Sequence, residues 1–130
     1  MKNLILFLVF FGYIFCGYSQ STKTLVRSFR TETNNIELLF ECEKEFRYWD
    51  NEHIKVVIDI NINKNENILE TLIKIGRYSL KEETYSDMLF LTLPKLRNDV
   101  IVSGNVIKED IKVILYLPKH MSYNSEQISL

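Results

Sequence analysis

Few side chains in this chain of 130 residues are candidates for catalysis or metal binding. The only imidazoles are His53 and His120, and His53 lies beside Asp50 and Glu52 in the segment 49–53. Three oxygen- or nitrogen-bearing groups so close together could hold a metal ion weakly, but their spacing matches no standard ligand pattern. They read as a solvated turn. A serine hydrolase would need a serine strained outward in a G-x-S-x-G turn, and no such run is present. Glu41, Glu43 and Glu45 could be paired carboxylates for glycoside cleavage, which requires two of them across a cleft. Charges at every second residue are the usual mark of a strand's wet face, and Glu82–Glu83 reads the same way. No catalytic residue, metal or cofactor is therefore expected. The aromatic residues offer more. Trp49, Tyr48, Tyr78 and Tyr85 could form a platform for a sugar or a protein. Tyr48 has core parity, so Trp49, Tyr78 and Tyr85 are taken as the candidate binding surface, with Trp49 the leading member at a strand end.

The first twenty residues set where such a surface would work. Lys2 precedes a nearly unbroken apolar run, Leu4 to Phe15, and Gly17 and Ser19 then supply small residues before Gln20. This is the pattern of a secretory signal peptide over 1–19, cleaved near Ser19–Gln20. The run is too short for a comfortable membrane span. Tyr13-Ile14-Phe15 before Cys16 are too bulky for a lipid-attachment motif. Cleavage leaves about 110 residues, the size of one domain, expected over 20–130. Losing Lys2 takes the formal charge from -1 to -2. Lys and Glu are interspersed, which argues against nucleic acid and against a polybasic membrane anchor. Cys42 is left alone and reads as a buried apolar residue.

The framework beneath these residues is mostly strand. Residues 24–29 read as a first strand and Thr33-Asn34-Asn35 as a turn. Ile36, Leu38, Phe40, Cys42, Phe46 and Tyr48 share even parity, with Lys44 breaking it; a hairpin or bend near Glu43–Lys44 would make two strands. Ile54, Val56, Ile58, Ile60 and Ile62 form the clearest strand, β-branched with period two. The period then changes. Ile68, Leu69, Leu72, Ile73 and Ile75 suit one face of a helix over about 66–75. Asn67 with Glu70, or Asn63 with Glu66, has capping-box spacing, and Gly76 is placed to end the helix. Two strands over 77–83 and 87–93 flank a turn at 84–86, and Pro94 closes the second. Residues 99–102 and 105–108 flank a tight turn at Ser103–Gly104. Residues 111–117 read as the last strand, and the chain is expected to be loose and polar from about Lys119.

Taken in order, Val26-Arg27-Ser28-Phe29, Trp49-Asp50-Asn51 with the strand after it, the run Leu72 to Lys81 containing Gly76-Arg77-Tyr78, Leu89 to Pro94, and Val113 to Lys119 resemble a known pattern. It is the N-terminal part of secreted bacterial proteins of the auto-transporter adhesin (head GIN domain) family. The resemblance implies a β-rich, often solenoid-like exported domain with an adhesin role, and it brings no catalytic residue. Relatives of that type continue into further β rungs after the Leu-Pro-Lys segment.

These readings converge on a mainly β fold: a twisted, mostly antiparallel sheet or sandwich, or a short solenoid-like domain, with one covering helix. The expected function is an exported, non-enzymatic binding or surface-structural module, in the periplasm, at the cell surface or secreted. Its partner would be a protein or glycan surface, with self-association by strand pairing along the 111–117 edge. The alternative is a small periplasmic carrier holding an apolar ligand between helix and sheet.

Overall fold

The structure is a computed structural model that describes residues 20–123. The signal-peptide expectation over 1–19 and the last part of the polar tail lie outside the described residues. The chain is mainly β, as expected, but its sheets are mixed. Sheet A has the order β1 (Ser21–Phe29), β4 (Ile54–Ile62), β9 (Glu109–Pro118), β3 (Glu43–Trp49). Sheet B has the order β10 (Ser122–Tyr123), β2 (Asn35–Leu38), β6 (Met88–Thr92), β5 (Lys81–Tyr85). The pairs β1/β4, β4/β9 and β5/β6 are antiparallel. The pairs β3/β9, β2/β6 and β10/β2 are parallel. A small hairpin, β7 (Ile101–Val102) and β8 (Asn105–Val106), turns at Ser103 and Gly104, both at positive φ, as the Ser-Gly pair predicts.

The inner faces of the two sheets share one apolar core. Ile54, Val56, Ile58, Ile60 and Ile62 of β4 are no more than 3% exposed. They meet Val113, Leu115 and Leu117 of β9, with Ile36 and Leu38 of β2 and Leu89 and Leu91 of β6 in the same cluster. The strict period two of β4 and β9 turns these residues inward and their neighbours outward.

The long alternation from Ile36 to Tyr48 does break into two strands, but not as a hairpin. Residues 39–42 carry the chain out of sheet B and into sheet A, so β2 and β3 never pair. The returning β3 lies parallel to β9, pairing Glu43 with Lys112 through Trp49 with Pro118. This corrects the expected open edge at 111–117. β9 is bonded on both sides, to β4 and to β3, and presents no free edge. The expected loose tail is also ordered at its start: Met121 is 2% exposed, and Ser122 donates to the carbonyl of Asn34 at 2.8 Å.

The helix α1 (Glu66–Lys74) is capped by neither proposed pair. Asn65 is the N-cap, its Oδ1 accepting from the Ile68 N–H at 3.1 Å. At the other end Gly76, at φ +83, completes a Schellman closure: Gly76 N–H donates to Ile73 and Arg77 N–H to Leu72, both at 3.0 Å. Leu69 and Leu72 are buried in the shared core. Lys23 on β1 pairs with Glu66 at 3.0 Å, holding the helix against the first strand. The expected strand over 77–83 begins only at Lys81, because Arg77 and Tyr78 are committed to a buried ion pair with Glu109.

Candidate binding surface

Period two puts the outward side chains of sheet A on a common face, and strand register orders them into rows. Ser28, Lys55, Tyr116 and Arg47 lie across from one another; so do Val26, Val57, Ile114 and Glu45; so do Thr24, Asp59, Lys112 and Glu43. The middle row is apolar over three strands although it faces away from the core. Val26 is 60% exposed, and Val57 and Ile114 are half-buried between longer neighbours.

Trp49 closes one end of this face. Its ring lies 5.5 Å from that of Tyr116, tilted by 44°. Lys55 Nζ stands 5.1 Å from the Tyr116 centroid and 5.8 Å from that of Trp49. The Arg47 guanidinium lies 5.8 Å from the Tyr116 ring, and its Nη1 donates to the Tyr116 hydroxyl at 3.3 Å. Arg47 also donates to Glu45 through Nε and Nη2, at 3.1 and 3.0 Å. The indole N–H donates to the His53 carbonyl at 2.8 Å, which fixes the ring at the strand end. Two cations over two aromatic faces form a platform suited to apolar and anionic groups together. The opposite end is acidic. A cleft of about 520 Å³ opens there, with Glu43, Asp59, Asn61, Asp110 and Lys112 among its lining residues.

The three residues singled out by sequence do not share a surface role. Trp49 is on the platform. Tyr85 is exposed beside the β5–β6 turn in sheet B. Tyr78 is only 3% exposed, and its hydroxyl donates to Glu109 Oε2 at 2.6 Å. The same carboxylate receives Arg77 through both oxygens, at 2.9 and 2.5 Å, while Arg77 Nη1 donates to the carbonyls of Lys95 and Asn98. Burial opposes ionisation of Glu109, but the bonds from Arg77 and Tyr78 outweigh it and hold the carboxyl below its ordinary range. Burial, reinforced by the hydrogen bond to Glu109 and by its charge, pushes the Tyr78 phenol up. The Gly-Arg-Tyr run thus serves the fold. It ties the end of α1, the 3-10 turn Pro94–Arg97 and β9 together.

Tyr48 keeps its core parity yet is 50% exposed, since β3 is the margin of the sheet. Phe46, on the same side, stacks on Tyr123 at 3.9 Å. The Cys42 thiol is half-buried and pushed up to about 11, chiefly by desolvation, so it stays protonated at neutral pH and is a poor nucleophile. Both ring nitrogens of His53 have neighbours within hydrogen-bond distance, Asn51 Oδ1 at 2.8 Å and Arg30 Nε at 3.1 Å. No group of three metal-binding side chains converges among the described residues, and no helix among them is long and apolar enough to cross a membrane.

Lys55, Arg47 and Tyr116 were not singled out by sequence. The available signal was the run of outward apolar positions, Val26, Val57 and Ile114, which a purely wet face does not need. It points to one surface only once β3 is known to lie beside β9.

No family model and no curated protein matches the chain. Among solved structures it is similar to one named a "putative cell adhesion protein" from Clostridium sporogenes, with 14% identity and a TM-score of 0.43. The likeness covers 79% of this chain and 45% of that one, so this chain spans less than half the length of its neighbour.

Proposed function

We propose that this chain is an exported, non-enzymatic binding module of the adhesin-like kind, and that the outer face of sheet A is its binding surface. The observation that carries this reading is the platform itself: Lys55 and Arg47 over the Trp49–Tyr116 pair, at the head of an apolar row that the core does not use. Trp49 and Tyr116 are half-buried and Arg47 is exposed, and aromatic and arginine side chains around apolar area are of the kinds that dominate protein interfaces. The carrier alternative draws no support from the helix, whose inward Leu69 and Leu72 are spent on the core.

The test is retention of labelled chain on three surfaces: a glycan array carrying neutral and acidic sugars, a surface coated with the chain itself, and cells displaying it. Retention on at least one is expected, reduced about tenfold or more by Trp49→Ala with Lys55→Ala, as befits a contact at the centre of an interface. Undiminished retention of the variant moves binding off this face, and no retention anywhere removes the reading.

A further inference from the structure

We infer that the occupant of this face is a second copy of the same chain, seated face to face about a two-fold axis. This deepens the proposed function and rests on the reading of sheet A's outer face as the binding surface. Strand register selects the arrangement. An axis lying in the interface along the row Val26, Val57, Ile114 keeps each strand over its own copy and exchanges the two flanking rows. Lys55 then meets Asp59 of the second copy and Arg47 meets Glu43. Tyr116 meets Lys112, a cation over a ring face. Each of these contacts occurs twice. The apolar row meets itself, removing Val26, Val57 and Ile114 from water together. Among the charged residues Glu45 alone meets its own kind, at the β3 margin, where Arg47 already donates to it at 3.0 Å and supplies the counter-charge.

The other in-plane axis, along the strands, is worse on both counts. It brings the two cationic ends together and sets Val26 against Glu45. Complementarity of charge and of apolar area therefore selects one symmetric arrangement.

The size of the face sets the strength. Four strands about 4.8 Å apart and three rows about 6.7 Å apart cover roughly 400 Å² per copy. That is below the roughly 800 Å² per partner of a standard interface, so the association is weak and reversible, in the micromolar range or above. A weak homotypic contact suits a molecule presented in many copies, where multivalency multiplies it.

The experiment is sedimentation velocity on the purified chain from about 1 to 300 μM, spanning the affinities expected of so small an interface. The wild type shows a monomer–dimer equilibrium. K55E and D59K each weaken it about tenfold or more, because each sets like charges together twice per dimer. Mixed in equal amounts, the two variants restore a 1:1 dimer, since each then presents the charge that the other lacks; the double variant K55E/D59K restores self-association. Far-UV circular dichroism and thermal midpoints matching the wild type show that the variants fold. A wild type that stays monomeric, single variants that associate undiminished, or a mixture that fails to rescue overturns the proposal. The parent reading is decided separately: retention on the glycan array that Trp49→Ala abolishes keeps the face as a binding surface for another partner, and loss of both removes it.

Discussion

Two arginine–glutamate–tyrosine groups stand in this molecule, built from the same residue types and set in opposite surroundings. Arg77, Glu109 and Tyr78 are closed off, the Arg77 and Glu109 side chains 7% and 13% exposed, with the guanidinium fork on both carboxylate oxygens. Arg47, Glu45 and Tyr116 are open, the two charged side chains 49% and 39% exposed, with the fork on a single oxygen. In the first group burial shields the pair and each guanidinium nitrogen has a protein acceptor, so removing one member strands a charge in the interior. In the second, water screens the pair, and what remains is a ring and a cation available to something else. Burial, rather than residue identity, separates a structural lock from an open platform.

The largest expected effect is at the lock. Glu109→Gln leaves Arg77 buried without its counter-charge and should cost about 3–5 kcal/mol in urea unfolding. The double variant Arg77→Met with Glu109→Leu should cost less than that single change, since no charge is then stranded; an equal or larger loss would show that the group acts by shape rather than charge. Next comes the core: Ile58→Ala should cost about 2–5 kcal/mol by lost burial and a cavity, and a negligible loss would mean that the inward register of β4 is wrong.

Acid separates the two groups further. Glu109 is held below its ordinary value in the folded chain, so between the two values the unfolded state binds more protons and stability rises with pH. Its contribution is complete above the unfolded value of about 4.3 and is lost as pH falls through the lower folded one. Unfolding midpoints measured from pH 7 downward should therefore drop less steeply in Glu109→Gln than in the wild type. The smallest effect is at the open group. Arg47→Ala should leave the thermal midpoint in place while weakening retention on the surface that binds the wild type. A midpoint shift comparable to that of Glu109→Gln would erase the distinction between the two groups.

The strands were legible wherever period two ran unbroken, as in β4 and the odd positions of β9, because alternation is a local signal. The Ser103–Gly104 turn and the Gly76 helix end were legible for the same reason. Partner choice was not. Nothing near Glu43 announces that β3 will lie parallel to a strand 69 residues later, so residues 111–117 read as an edge and the aromatic platform could not be assembled on paper beyond Trp49. Tyr78 was misplaced because exposure was inferred from residue type, while its partner Glu109 lies 31 residues away and carries no local mark. The N-cap at Asn65 was missed among asparagines at 61, 63, 65 and 67, whose spacing alone does not choose between them.

The parallel seating of β3 on β9 has a consequence in time. β3 is synthesised well before the strand that receives it, and the intervening residues include the whole helix, the β5–β6 hairpin and the small β7–β8 hairpin. The loop entropy of bringing these ends together must be met before their ladder returns anything, which places folding of such a topology in the millisecond-to-second range. Trp49, the sole tryptophan, sits on the strand that docks across this distance, so its emission during refolding should report late closure. The platform therefore exists only in a finished molecule. A chain halted before residue 109 carries Trp49, Arg47 and Lys55 but has no Tyr116 to set them against.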